Sequence, residues 1–208
     1  MVVTRIAPSP NGLLHLGNAV NFLLTDWLAR SQPDSRVFLR IDDMNLSQVS
    51  DDHLADIFWA VEWLGISIAD GPSGVSEFRS RYSQLDRAEE FRAALTRFDG
   101  SAVYECECSR TTIARRPIGV ADPCLAHHLS SGATALRFRT SHGHRSVATD
   151  AALTALGTDG AEVAAGMGDF VVWRRDDLPA YHLVSVLEDE RLGVDTVVRG
   201  DDLRLSSA

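Results

Sequence analysis

A histidine, a glycine and an asparagine stand together where a proline-rich turn is followed by apolar residues at helical spacing. His15, Gly17 and Asn18 come directly after the segment 8–12, which reads Pro-Ser-Pro-Asn-Gly. The unpaired N–H groups and the dipole at the start of a helix favour a bound phosphate. Gly17 would let a nucleotide approach the backbone, and His15 and Asn18 could donate hydrogen bonds to phosphate oxygens. The pattern indicates a nucleotide-binding turn, although such residues can also serve only to cap and pack a helix.

Two adjacent carboxylates follow the second apolar run of the chain. Asp42 and Asp43 come after the segment 36–41, and Arg5 lies in the first such run. In an open parallel sheet, ligands gather at the carboxyl ends of the strands, so these side chains are expected to face one crevice. A carboxylate there could hold a substrate ammonium group. The alternative is an acidic turn or helix cap.

The cysteines form a third group with possible chemistry, since all of them fall within one short stretch. An odd, clustered set suits a metal site better than a disulfide framework. Tetrahedral zinc needs four ligands, and the fourth could be water or a nearby acid or histidine. Free buried cysteines are the alternative. The three cysteines are Cys106, Cys108 and Cys124, and the candidates for the fourth ligand are Asp122, His127 and His128.

The elements that would position these groups alternate between strand and helix patterns. Such alternation predicts an α/β fold with a doubly wound, Rossmann-like parallel sheet. Strands are predicted at 2–7 and 36–41, and helices at 15–30, from a cap at Asp51 or Asp52 to Leu64, and from Tyr82 to Phe98.

The middle of the chain is irregular, and we interpret residues 101–149 as a small insertion carrying the cysteines. It would separate a first half of the core at 1–100 from a second half at 150–208. Strand character is predicted for 135–139, 170–173, 181–187 and 196–198, and residues 151–168 are rich in alanine and glycine.

Composition restricts the function classes. The formal net charge is −9, so nucleic acid could be contacted only through a local arginine patch. All 20 basic residues are arginine, which excludes chemistry that depends on a lysine of this chain. No apolar run is long enough for a membrane span and no leader pattern is present, so a cytoplasmic protein without membrane partners is expected. The oligomeric state is not indicated.

The stretch from Arg5 to Asn18 resembles the R-x-A-P-S-P-T-G-x-L-H-I/L-G signature of glutamyl-tRNA synthetases and of the shorter glutamyl-Q tRNA(Asp) synthetases, which are class I enzymes. The resemblance implies that ATP, with Mg²⁺, is bound in this turn. The ATP-binding residues that it implies are Pro8, Ser9, His15, Gly17 and Asn18, with His15 and Asn18 as the catalytic ones.

Three further segments are similar to the same enzymes. Residues 40–45 are similar to the family's R-I-E-D-x-D, with Asp42 at the position of the first acidic residue. Residues 168–189 and 193–203 are similar to the segments that contain the family's A-Y-x-L and V-V-R-G, respectively. The resemblance implies that Asp42 holds the ammonium group of a glutamate-like amino acid. By the same resemblance, Arg5, Tyr181 and Arg199 read its side-chain carboxylate, and Ala7 and Ser9 line the pocket. The cysteines resemble the zinc-binding insertion of the glutamyl-Q enzymes, with Val120 in place of a tyrosine.

The expected function is therefore activation of glutamate or a close analogue as an adenylate, followed by transfer to an acceptor, either tRNA or a small molecule. The shorter Asp42 leaves glutamine and aspartate open as substrates. The lysine loop that class I synthetases normally carry is missing from these residues. A fragment of a longer protein, a naturally short ligase and a non-catalytic amino-acid or nucleotide-binding module acting with a partner chain remain the alternatives.

Overall fold

The computed structural model of the chain describes residues 1–45, 49–98, 100–115, 124, 134–140 and 168–200. They fall into two compact units. The first is Met1–Glu89 with Ser185–Gly200, and the second is the described part of Glu90–Val184. Within the described ranges, no helix is long and apolar enough to cross a membrane. The three-part division at residues 100 and 149 stays a prediction, because much of the expected insertion lies outside these ranges.

The first unit begins with the predicted strand, turn and helix. Strand β1 (Val3–Ile6) leads to helix α1 (Leu16–Arg30), which returns the chain to strand β2 (Arg36–Leu39). The strands are parallel, with Val3 opposite Arg36 and Ile6 opposite Leu39. Asp70 forms a further parallel bridge to Phe38 on β2. The expected parallel α/β arrangement is confirmed here.

Helix α2 (Asp51–Trp63) packs against this sheet through one apolar face. Its cap is Ser50, whose Oγ accepts from the backbone N of His53 at 3.2 Å. The prediction of Asp51 or Asp52 as the cap is therefore wrong, because the cap lies one or two residues earlier. Both aspartates lie in the first turn of the helix, where the helix dipole favours acidic side chains. The core of the unit joins the helices to the strands through Ile6, Phe22, Ala29, Val37, Leu39, Ile41, Leu54, Ile57 and Val61.

The predicted single helix from Tyr82 to Phe98 is wrong. The chain forms a series of short pieces, because Ser83 adopts an extended backbone (φ −58°, ψ 127°) and interrupts the helix. The Asp43 carboxylate holds this break by accepting from Ser83 Oγ at 2.6 Å and from the backbone N of Gln84 at 2.9 Å. The pieces are α3 (Val75–Glu77), a π-helix (Phe78–Tyr82), a 3₁₀ turn (Leu85–Arg87), α4 (Ala88–Ala94) and a 3₁₀ turn (Leu95–Arg97).

The second unit contains a small antiparallel sheet. Strand β4 (Ala135–Phe138) pairs with β3 (Val103–Cys106) on one side and with β5 (Phe170–Trp173) on the other. A short helix, α5 (Arg110–Ala114), follows β3. The two strands predicted near residues 135 and 170 are confirmed, and their pairing is antiparallel.

The last helix corrects a second prediction. Residues 181–187 were expected to be strand-like, but Tyr181–Leu192 form an α-helix, α6. A short apolar run does not distinguish a strand from a buried helix segment, and the buried positions Leu183, Val184 and Glu188 follow helical spacing. Residues 196–198 form no strand. The backbone N atoms of Asp195 and Thr196 nevertheless donate to the Val3 carbonyl, so this segment runs beside β1.

Candidate nucleotide and amino-acid site

The start of α1 is organised by the residues that the sequence indicates for phosphate binding. His15 is the N-cap; its Nδ1 accepts from the backbone N of Gly17 at 3.0 Å, and Asn18 Oδ1 accepts from the backbone N of His15 at 3.0 Å. Because Nδ1 accepts, the proton of a neutral imidazole lies on Nε2. That N–H points away from the cap and can donate to a ligand. His15 thus combines a structural role with an exposed donor.

Gly17 is required by the closeness of the His15 ring. A Cβ on Gly17 would lie 2.9 Å from His15 Cε1, a distance shorter than van der Waals contact. A side chain there would displace the imidazole from its cap. Glycine therefore keeps both the cap and access to the first turn of the helix.

The turn before α1 lies against the acidic segment after β2. The backbone N of Asp42 donates to the Pro8 carbonyl at 2.9 Å, and the backbone N of Arg40 donates to the Ile6 carbonyl at 2.9 Å. These bonds continue the parallel pairing of β1 and β2 beyond the strand ends. The helix cap and the carboxylate of Asp42 are consequently on neighbouring segments, as the carboxyl-end rule predicts.

A buried network of ions joins these segments to α6. Arg40 binds Asp42 in a bidentate manner, with Nε 2.7 Å from Oδ1 and Nη2 3.1 Å from Oδ2. Arg40 Nη1 also donates to Asp189 Oδ1 at 2.5 Å, and Arg5 Nε donates to the same oxygen at 3.0 Å. Asp189 therefore connects the two arginines, and Arg5 is only 3% exposed.

Arg5 keeps donors available despite this burial. Only its Nε is bonded among the described residues, so neither Nη group has a partner there. Burial lowers the pKa of Arg5, and the nearby charges of Arg40 and Arg199 lower it further, against the opposing effect of Asp189. The positive charges of Arg40 and Arg199 therefore lie close enough to Arg5 to affect it, and such a concentration of guanidinium groups favours an anionic ligand.

Asp42 and Asp43 have different surroundings. Asp42 Oδ1 accepts from Gln84 Nε2 at 2.8 Å in addition to the bond from Arg40. Gln84 Oε1 is buried without a hydrogen-bond partner, so an acceptor stands unused beside Asp42. For Asp43, burial raises the pKa, and the bonds from Ser83 and Gln84 oppose that shift.

The remaining indicated residues belong to the second unit. Tyr181 begins α6, is 38% exposed and has its ring beside that of His182. The three cysteine Sγ atoms lie within 4.8 Å of one another, and Cys108 Sγ is 3.6 Å from Cys124 Sγ. Thiolates around zinc at a bond length of about 2.3 Å would be roughly 3.8 Å apart, so the three fit one tetrahedral ion. The other candidate ligands, Asp122, His127 and His128, lie outside the described residues.

Several members of the network were not indicated as site residues by the sequence. Arg40 and Asp189 lie inside the matching segments, but their contact spans 149 positions and no local pattern reveals it. Gln84 is likewise 42 positions from Asp42. The signal that could have found them is charge, because an arginine and an aspartate in otherwise apolar, buried elements require partners.

The geometry defines a class of protein: an α/β fold with a capped helix start and a buried network of arginines and aspartates at the strand ends. Two solved structures share the fold. One is a glutamate tRNA ligase from Elizabethkingia meningosepticum, solved with its amino acid. The matched region covers 99% of this chain and 45% of that protein, with 20% sequence identity and a TM-score of 0.59. The other is the glutamate-tRNA synthetase of Elizabethkingia anophelis. The matched region covers 97% of this chain and 45% of that protein, with 18% sequence identity and a TM-score of 0.60.

The sequence comparisons give the family. Residues 1–116 match the family described as tRNA synthetases class I (E and Q), catalytic domain. A glutamyl-Q tRNA(Asp) synthetase from Symbiobacterium thermophilum is 36% identical across 98% of this chain and 67% of its own length. A glutamate–tRNA ligase from Desulfosudis oleivorans is 31% identical across 97% of this chain, which spans 42% of that relative's length. The chain belongs to the class I tRNA synthetase family for glutamate and glutamine.

Proposed function

We propose that this chain binds ATP and glutamate, joins them as glutamyl adenylate and passes the glutamyl group to tRNA. The observation that carries the proposal is the buried Arg5, which Asp189 holds through Nε alone while Arg40 and Arg199 add positive charge nearby. Arg5 and Arg40 share the carboxylate of Asp189, so a further anion would lower the cost of burying their charges. The side-chain carboxylate of glutamate supplies a planar anion that accepts two parallel hydrogen bonds from a guanidinium group.

The two ends of the amino acid would be distinguished by charge. Arg5 and Arg199 would bind the side-chain carboxylate, with Ala7 and Ser9 lining the pocket. The ammonium group would donate to Asp42 and to the unused Oε1 of Gln84. Asp42 also binds Arg40, so the unpartnered Gln84 Oε1 would supply the additional acceptor that the ammonium group needs.

ATP would lie along the turn of Pro8 and Ser9, with its phosphates at the start of α1. His15 Nε2–H and the Asn18 side chain would donate to the phosphates, and Gly17 would leave room for the nucleotide. The α-carboxylate attacks the α-phosphorus, the bond to the bridging oxygen breaks, and pyrophosphate leaves. Mg²⁺ bound with ATP would neutralise phosphate charge. The chain contributes positioning and stabilisation of charge, without a covalent nucleophile.

We further propose that Cys106, Cys108 and Cys124 bind one structural zinc ion. Their mutual distances suit tetrahedral sulfur ligands. The zinc ion would join Cys106 at the end of β3, and Cys108 just after it, to Cys124.

The names of the relatives favour tRNA over a small molecule as the acceptor. A second candidate is a binding module without turnover, and the absence of lysine from the 208 residues favours it, because no lysine of this chain can stabilise pyrophosphate. The acceptor and the turnover can be tested in the same assay.

That assay is glutamate-dependent exchange of pyrophosphate into ATP, run with and without bulk tRNA. Exchange is expected with glutamate, and Arg199→Ala should reduce kcat/KM for glutamate by roughly 10-fold to 150-fold, the value of one charged hydrogen-bond pair. The matched control is Arg79→Ala, since the ion pair of Arg79 among the described residues is with the exposed Asp51. Unchanged exchange in Arg199→Ala would contradict the pocket. Glutamate binding without any exchange would support the binding module.

A further inference from the structure

The turn that precedes α1, residues 8–14, depends on its surroundings for its position. Two of its residues are prolines, which have no backbone N–H to donate, and three others are exposed to solvent. A backbone bond from Asp42 to the Pro8 carbonyl holds its first residue. A binding loop of this kind is usually positioned by a rigid element beside it. We call residues 8–14 the nucleotide turn.

Helix α2 supplies two side chains that bond to this turn. Asp56 Oδ2 accepts from the backbone N of Leu14 at 2.7 Å, and His53 Nδ1 lies 3.3 Å from the Pro10 carbonyl. A carbonyl oxygen can only accept, so Nδ1 carries the proton and donates it. The two bonds are made on either side of residues 11–13. Helix α2 therefore holds the nucleotide turn at two points.

The packing of α2 makes it a rigid support for these two side chains. His53 and Asp56 are three positions apart, so they share one face of the helix. The residues that follow each of them, Leu54 and Ile57, are fully buried in the core of the first unit. Because the buried pair fixes the rotation of the helix, the face with His53 and Asp56 is fixed against the nucleotide turn.

The bond to Asp56 acts on the residue next to the helix cap. Leu14 directly precedes His15, whose imidazole caps α1. A bond from an N–H to a carboxylate is roughly twice as strong as one between neutral groups. The charge of Asp56 would by itself repel the phosphates of ATP. The carboxylate at this place is therefore explained by the position it gives to Leu14 and His15, and not by attraction of the ligand.

We propose that Asp56 and His53 are positioning residues, which keep the nucleotide turn in the conformation that binds the phosphates of ATP. The inference rests on the proposed function, because it takes the turn as the ATP site. A displacement of about 1 Å at a reacting group can lower a rate about 100-fold. Loss of either bond should therefore weaken the binding of ATP and leave the binding of glutamate unchanged, since glutamate would bind at the arginines.

The test is isothermal titration calorimetry with ATP and Mg²⁺, and separately with glutamate. Asp56→Ala should raise the Kd for ATP about 10-fold, the lower end for a hydrogen bond to a charged group. His53→Ala should raise it about 3-fold, because its bond is longer. Neither variant should change the Kd for glutamate. Partial unfolding would reduce the number of binding sites but not their affinity, so the two Kd values separate positioning from stability.

Conservative variants and a control on the same helix complete the experiment. Asp56→Asn keeps an oxygen that can accept from Leu14 and removes the charge, so it should restore most of the affinity for ATP. Glu62→Ala removes the same charge from an exposed position of α2, six residues or about 9 Å further along the helix, and should leave both Kd values unchanged.

The outcomes distinguish this inference from the proposed function. A wild-type chain that binds ATP with the same Kd as Asp56→Ala would overturn the positioning role alone. The role would also be overturned if Asp56→Asn bound ATP no better than Asp56→Ala, or if the affinity for glutamate fell by the same factor. A wild-type chain that does not bind ATP would overturn the proposed function and this inference with it.

Discussion

Asp189 is the residue through which the two buried arginines are joined, and replacing it tests the network most severely. Asp189→Asn keeps the size of the side chain but removes its charge. Arg5 and Arg40 would then share one neutral amide oxygen in place of a carboxylate oxygen. Removing one partner of a buried ion pair costs about 3–5 kcal/mol. Asp189 is 19% exposed, so we expect the lower end, about 3 kcal/mol.

The assay is urea unfolding followed by circular dichroism, with the free energy of unfolding obtained by linear extrapolation. Asp176→Asn is the control, because Asp176 is 53% exposed and pairs with Arg174, which is partly exposed. An exposed pair contributes less than about 1 kcal/mol. If Asp189→Asn costs no more than Asp176→Asn, the buried network does not stabilise the fold and the reasoning is refuted.

Three further predictions concern the helix cap, the second carboxylate and the cysteines. Gly17→Ala should raise the KM for ATP about 10-fold in the exchange assay, because the new Cβ displaces the His15 ring. Stability should change little, since the lost helix cap and the better helix propensity of alanine, each about 1 kcal/mol, oppose each other. An unchanged KM would contradict the phosphate site. Asp43→Asn should change how stability depends on pH. The folded chain holds the Asp43 proton more tightly than the unfolded chain, so the stability contributed by Asp43 is greatest below its ordinary pKa of 3.8 and declines as pH rises through the raised value. The difference in free energy of unfolding between wild type and Asp43→Asn should follow that decline, and a difference independent of pH would count against it. Cys106→Ser should abolish zinc binding, measured as zinc content per chain by mass spectrometry of the metal. A wild-type chain without zinc would contradict the proposed zinc site.

Local sequence patterns were sufficient for the parts of the fold with strong periodicity. The β1, α1 and β2 unit follows from its apolar spacing and its turn, and β4 and β5 from short apolar runs. The helix after Tyr82 could not be predicted, because a carboxylate 40 positions away, Asp43, interrupts it at Ser83. The apolar run of α6 was ambiguous, since its helical character depends on which face is buried.

The site was predictable only to the extent that its residues are consecutive. The turn from Arg5 to Asn18 by itself predicts a phosphate-binding turn, and the cysteine cluster by itself predicts a metal site. The ion network depends on contacts between distant segments, so neither Asp189 nor Gln84 could be assigned a role. Compensation of buried charge is the physical rule that links Asp189 and Gln84 to the site. Each buried arginine needs an acidic partner, and each buried acid needs a hydrogen-bond donor.

The central claim is that the pocket around Arg5 reads a negative side chain. Isothermal titration calorimetry with glutamate and with glutamine tests it most directly, because the two amino acids have nearly the same shape and differ in that charge. We predict tighter binding of glutamate, by about 10-fold or more, the value of a charged hydrogen-bond pair. Equal affinities, or tighter binding of glutamine, would contradict it.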